Sequence, residues 1–578
     1  MKLVNRINIG LEGFSQALVR FPLTVVFLFA VAILNSIMIN AQRPELDKYL
    51  ITMVVGAFFS VLFQMIYERF GKRRKTQIVL YLFSMVLTAI YFFIYGNVTE
   101  VSQELIVRTV VIILGIFMAF VWIPSIKSQP TFNQSFLVVF KTFFISIFFT
   151  GIIFFGLTII YAATDLLLFD VPGEIYAHTA NIVFVIFANI YFLSLIPKYS
   201  KNDDKILKAI NCPKFLEVLL SYIIIPLTSI FTLILLIYIA TNISNSFWED
   251  DLLEVMLVLY IIVVILIYIL VSNVNNRFAT LFKLVFPKIL VLIVLFQTAN
   301  SGIRIGDYGI TYGRYYVILF GIFALITGIW FSIKPKDKNG IVALALIVCV
   351  VVSLMPFLDP FKLSKTSQMN LLEEELNKNN MIVGDEVIEN PEIEIDSKKK
   401  ISSALSYIYR MDYEDEISWL PDSYIEVENI LGFSPYVGDP KVEGRDIQIY
   451  LNDEETINVE GYEYMVNTHI AYEKNNELSG RNYQINNDIE LNIIYENNDV
   501  AIEIMDKDIS MIKVTGKELT ENLREDYTNS QEIKVKDSLK NFSNEKVDLA
   551  VIFRYLDMAS SSEDYRFDGE TYILINIK

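Results

Sequence analysis

Cysteine and histidine are nearly missing from this 578-residue sequence, with two of each. Cys212 falls in a polar loop and Cys349 in an apolar segment. Neither has a partner at metal or redox spacing, so no disulfide framework forms. The histidines, His178 and His469, are isolated. A lone histidine at the start of an apolar segment, as His178 is, is more often a hydrogen-bonded interface residue than a ligand. Catalytic motifs are missing too: no HExxH, no GxSxG elbow, no Walker loop and no dinucleotide fingerprint. "GFSPYVG" (432–438) misses the elbow spacing. No basic patch is interleaved with aromatics, which argues against nucleic acid as a partner. No catalytic residue, metal or cofactor is therefore assigned.

Charge is the third scarcity, and it is local. The chain is 54% hydrophobic, above the range of soluble domains. Residues 1–360 read as one apolar stretch after another and hold 26 Lys and Arg against 19 Asp and Glu. Residues 361–578 read as an ordinary polar protein and hold 22 against 46. The net charge of −17 thus hides a mildly basic membrane region joined to a strongly acidic domain.

A spanning helix needs about 20 apolar residues. Eleven segments qualify: 21–39, 49–67, 77–95, 105–123, 136–162, 176–197, 215–240, 252–272, 281–299, 315–332 and 341–358. Pro287 and Lys288 make the ninth the weakest. The first is read as an uncleaved helix, because Ile39-Asn40-Ala41 is a poor cleavage site. Lys and Arg in short loops set orientation. With the N-terminus in the cytoplasm, inner segments hold 19 basic residues and outer loops 4. Arg108, Lys141 and Lys288 fall near span ends and can snorkel. An odd span count then puts the C-terminal domain outside the cytoplasm.

After the last span the periodicity changes. "SQMNLLEEELNKNNM" (367–381) reads as an amphipathic helix, a polar linker follows, and a second helix is expected at 400–411. "DIQIYLN" (446–452) alternates as a strand. "ELNIIYENNDVAIEIM" (490–505) and "DYRFDGETYILINI" (564–577) each read as strand, turn, strand, with Asn-Asn and Asp-Gly turns. The expected fold is an α-helical polytopic membrane bundle of about 11 spans, followed by an extracytoplasmic β-rich (α+β) soluble domain. Its parts are a bundle at 1–360, a membrane-proximal helix and acidic linker at 361–400, and the β-rich domain at 401–578.

The mid-membrane polar groups are Gln64, Asn189, and Thr228 with Ser229 after Pro226. They read as helix–helix hydrogen bonding beside a proline kink, or as a broken-helix substrate site. The loop "SGIRIGDYGITYGRYY" (301–316) stands out because it holds two of the four outer basic residues, Arg304 and Arg314. With Tyr308, Tyr312, Tyr315 and Tyr316 it forms an interfacial belt. The alternative is an anion-binding or domain-docking site built from Arg304, Asp307, Tyr312 and Arg314. Arginine forks match phosphate and carboxylate groups, so Arg314 is expected to reach a lipid phosphate or a carboxylate of the acidic domain.

"YGITYGRYYVILFGIFALITGIW" (308–330), "LDPFKLSKTSQMNLLEEEL" (358–376) and "ISSALSYI" (401–408) resemble the bacterial membrane family of domain of unknown function 4153. The most specific marks are Gly309, Thr311, Arg314, Tyr315, Asp359, Pro360 and Ser367. Tyr312 and Gly313 stand where the family has an acidic residue and Asn. The resemblance implies a multi-pass protein of the bacterial cytoplasmic membrane and no activity.

The functional expectation is a non-enzymatic anchor, sensor or binding protein of the envelope that displays an outer domain. The alternative is a transporter or lipid flippase with a site in the bundle. The lipid bilayer is the expected partner, together with anionic lipid or another envelope component. Oligomeric state is open.

Overall fold

The computed structural model describes residues 13–578, apart from 42, 96–100, 129, 200–203, 243–250, 334–337, 385, 422–426, 434–446, 452–455, 473–479, 487, 497–498, 508, 521–530, 534 and 559–566. Each of the eleven expected spans is helical. They are α1 (Pro22–Ala41), α2 (Asp47–Phe70), α3 (Arg74–Tyr95), α4 (Gln103–Trp122), α5 (Phe132–Leu167), α6 (Gly173–Leu195), α7 (Ile225–Asn242), α8 (Asp251–Leu270), α9 (Arg277–Tyr308), α10 (Tyr312–Ile333) and α11 (Gly340–Ser353). Among the described residues, nine are long and apolar enough to cross a membrane; Glu254–Leu270 of α8 and Gly340–Ser353 are shorter. The lateral surface is apolar, as contact with lipid requires. Phe148 and Ile159 of α5 are 64% and 67% exposed. Large contiguous patches of that kind are rare on soluble proteins.

Two helices carry π turns, Asn181–Phe187 inside α6 and Leu219–Ile224 ahead of α7. The second ends just before Pro226, which has no N–H to donate. Thr228 and Ser229 donate to Ile224 O and Ile225 O of their own helix. Pro287 does not interrupt α9, which runs 32 residues to Tyr308 and so takes in the first half of the expected 301–316 loop. Glycines let α9 and α10 approach closely. A Cβ on Gly321 would lie 2.6 Å from Thr298 Oγ1, and one on Gly328 would lie 2.9 Å from Val291 Cγ2. His178 Nε2 meets Asn40 Oδ1 at 2.9 Å.

The chain divides into two compact units, residues 1–374 with 404–422, and residues 375–403 with 423–578. Beyond α11 come α12 (Pro360–Lys378), the short pair β1 (Ile382–Val383) and β2 (Glu386–Val387), and α13 (Ile395–Arg410). In the second unit, β3 (Ile447–Leu451), β4 (Tyr464–Tyr472), β9 (Gln531–Ile533), β11 (Val547–Met558) and β12 (Phe567–Ile577) form a sheet in the order β4-β12-β11-β3-β9, with β10 (Leu539–Ser543) also on β11. A four-stranded meander holds β5 (Arg481–Gln484), β6 (Ile489–Glu496), β7 (Asp499–Asp506) and β8 (Ile509–Thr515). Both sheets contribute to one core that includes Ile470, Leu491, Ile504, Val551, Phe553 and Ile573. This is the sandwich packing of two half-buried sheets.

β6 and β7 pair as expected, with Asn497 and Asn498 outside the described residues. The expected Asp-Gly hairpin does not form. Residues 564–566 lie outside the described residues, and Phe567–Ile577 is one continuous strand. Gly569 pairs with Leu556 where the register shifts between Phe553 and Tyr555. A Cβ there would sit 3.0 Å from the Phe553 ring. The glycine thus serves close packing at an irregular pairing rather than a turn.

Candidate functional site

The four residues singled out in the sequence separate into two places within the membrane unit. Arg304 lies on the buried face of α9, 6% exposed. Its Nη1 is 3.8 Å from Glu254 Oε2 of α8, and Ser301 donates to Glu254 Oε1 at 2.5 Å. One and two turns further along α9 are Asn300 and Gln297. Both are fully buried, and neither side-chain amide has a hydrogen-bond partner among the described residues. Asp307 is exposed on the last turn of α9. Tyr312 and Arg314 belong elsewhere, at the turn between α9 and α10.

That turn is built by local rules. α9 ends at Gly309, whose φ of 69° and ψ of 176° are open essentially to glycine alone. The last carbonyls of a helix lack partners within it. Arg314 supplies two bonds, from Nη1 to Tyr308 O at 3.1 Å and to Gly309 O at 2.9 Å. A cation at a helix C-terminus also suits the dipole. Thr311 Oγ1 accepts from Arg314 N and starts α10. The guanidinium thus closes the turn through its Nη1.

α12 then closes over this turn. Asp359 is its N-cap and Pro360 its first residue, the arrangement that helix starts favour. Asp359 Oδ1 accepts from Phe361 N at 2.9 Å and Lys362 N at 3.3 Å. The same carboxylate accepts at both oxygens from one nitrogen of Arg108 of α4, Nη2, at 2.9 and 2.7 Å. Arg108 is 8% exposed, bonds Glu104 as well, and lies 4.8 Å over the Phe361 ring. It is a buried ion-pair partner, not the snorkelling residue expected. One turn on, Ser367 Oγ accepts from Ile310 N at 2.8 Å, and Gln368 Nε2 donates to Tyr308 O and Ile310 O.

The C-terminal end of α13 and the residues after it complete the arrangement. Tyr407 Oη donates to Ser364 Oγ at 2.7 Å and accepts from Tyr312 N at 3.4 Å. Tyr312 stacks on Phe361, with centroids 5.3 Å apart, and accepts from Gln103 of α4 at 2.6 Å. Lys365 pairs with Glu416 and lies over the Tyr413 ring. Burial, foremost, pushes the Tyr407 and Tyr413 phenols above the ordinary tyrosine range. The result is a collar: Phe361, Tyr407 and Met411 form a buried cluster against Val107, Tyr312 and Tyr413.

The family model for the domain of unknown function DUF4153 matches residues 18–385. The chain belongs to the DUF4153 family. The match takes in the bundle and α12, so every residue that makes the Arg108–Asp359 pair and the Gly309 turn lies inside it. No curated protein and no solved structure matches the chain. For this DUF4153 member, six of the seven marks seen in the sequence meet in space. Gly309, Thr311 and Arg314 shape the turn, and Asp359, Pro360 and Ser367 start and seat the helix that covers it. Glu254 and Arg108 were not picked out as site residues. A carboxylate and an arginine, each about one turn into a span, were the available signals, and neither names its partner.

Proposed function

We propose that this integral membrane protein is a non-catalytic anchor, with its N-terminus in the cytoplasm, that displays its acidic β-sandwich outside and binds an envelope component with it. The single observation that carries this reading is the collar. The segment leaving the last span is fixed by a helix cap, a buried ion pair and side-chain bonds to a glycine turn, which is how a rigid exit from a membrane would be built. The 19-to-4 basic asymmetry supports the orientation. The test uses spheroplasts. External protease should release a β-rich fragment from the C-terminal region, and that fragment should bind purified cell-wall material or vesicles of anionic lipid. A fragment that stays protected, or binds neither material, refutes the reading.

A second reading, transport through the bundle, is favoured by Gln297 and Asn300. An unsatisfied buried polar group costs about 1–3 kcal/mol, and two such amides sit beside the Glu254–Arg304 pair. A hydrated state of the bundle would relieve that cost. Gln297→Cys in a protein lacking Cys212 and Cys349 should react with a small charged thiol reagent if such a state exists. Complete protection in reconstituted vesicles rules it out.

A further inference from the structure

We propose that a cavity among α1, α2, α4 and α6 holds an acyl chain of a bilayer lipid. The cavity encloses about 280 Å³, close to the lower end of the roughly 300–1,000 Å³ usual for small-molecule sites. Its floor is buried and apolar: Leu28, Val31, Ala57, Ile116, Phe120 and Leu193. Its rim is open. Phe184 is 40% exposed and Asn189 is exposed, both on α6. A pocket with a buried floor and a rim on the lateral face of spanning helices opens toward lipid.

Depth decides which part of a lipid can enter. Ala57 is roughly 15 Å from one end of α2 and roughly 20 Å from the other, at about 1.5 Å per residue. Hydrocarbon surrounds a bundle at that depth, and headgroups lie beyond it. The polar groups of the lining agree. Thr24 Oγ1 is 2.7 Å from Ser60 Oγ. Asn189 Nδ2 donates to Phe184 O at 3.1 Å and to Val185 O at 2.9 Å. The π turn explains the second pair of bonds. Where five-residue bonding returns to four-residue bonding, one carbonyl is skipped, and the Asn189 amide covers it. The turn and its amide therefore shape the wall while presenting no free donor to a headgroup. Water has no reason to fill so apolar a space.

The experiment uses the full-length protein in bilayers doped with phosphatidylcholine that bears a photoactivatable carbene precursor at mid-chain. Adducts are mapped by mass spectrometry. Wild type should be labelled on Phe117 and Phe192, which line the cavity, and on Phe148 of the lipid-facing surface. Ala57→Trp, which fills the floor, should lose the Phe117 and Phe192 adducts and keep the Phe148 adduct. Val61→Phe, a smaller filling, serves if the first variant is not monodisperse. Lipid with the same group on its headgroup should label neither Phe117 nor Phe192. Cavity labelling that survives filling, is missing in wild type, or comes from the headgroup probe overturns the proposal.

Discussion

Asp359 does two jobs in the collar, and two substitutions separate them. Its Oδ1 caps α12, and both its oxygens accept from Nη2 of Arg108. Asp359→Asn keeps a capping oxygen, since Asn and Asp cap about equally well, while Asp359→Ala loses the cap for a further ~1 kcal/mol. Asparagine removes the charge opposite a guanidinium that is only 8% exposed. Hydrogen bonds to charged groups contribute about 1.5–3 kcal/mol. Glu104 remains on Arg108, so the loss should stay below the roughly 3–5 kcal/mol of a fully orphaned buried charge. The assay is hydrogen exchange of the α12 amides, because local opening reports this energy without unfolding the bundle. At 1.4 kcal/mol per tenfold, exchange should rise about 10- to 150-fold in Asp359→Asn and about fivefold more in Asp359→Ala. Arg108→Gln combined with Asp359→Asn should cost less than the sum of the two, since the partners couple. Wild-type exchange in Asp359→Asn would refute the claim that the ion pair holds the collar.

Other consequences follow from the same geometry. Gly309→Ala meets both a glycine-only backbone region and a Cβ 2.8 Å from Gln368 Nε2. It should destabilise the collar by about 1–3 kcal/mol, read as faster α12 exchange with the spans intact. Gly569→Ala should loosen β11 and β12 in the sandwich, where Phe553 has to move, and leave collar exchange at the wild-type rate. Raised phenol values at Tyr407 and Tyr413 mean that their contribution is complete below pH 10, the ordinary tyrosine value, and fades only as pH rises through the raised values. Collar exchange, corrected for intrinsic rate, should therefore be flat from pH 6 to 9. An acid-side transition would point to a different group.

How much of this was readable in the sequence depends on whether a feature was periodic or pairwise. The spans were readable because length and apolarity act along one helix: a helix lies in each of the eleven segments, and nine of the described helices are long and apolar enough to cross a membrane. β6 and β7 were readable because alternation and a two-residue turn are local. The Asp568-Gly569 turn failed because the same dipeptide suits a close approach inside a strand, and the deciding neighbour, Phe553, comes from β11. The 301–316 loop failed for a related reason. Ser301 and Arg304 look like loop residues until Glu254 receives them, and then the helix can continue to Tyr308. Arg314 stood out by residue type, yet its partners are backbone carbonyls, which carry no signature. Arg108 and Asp359 are 251 positions apart, so only the fold could join them. Neither half of Asp359 was read in advance: the helix expected at 367–381 begins at Pro360, where Asp359 caps it.

The proposed orientation puts the acidic domain outside the cytoplasm. Alkaline phosphatase, which folds only outside, tests it when fused after Lys578 and, separately, after Lys75. The enzyme should be active after Lys578 and inactive after Lys75. Activity after Lys75 with silence after Lys578 would contradict the proposed orientation.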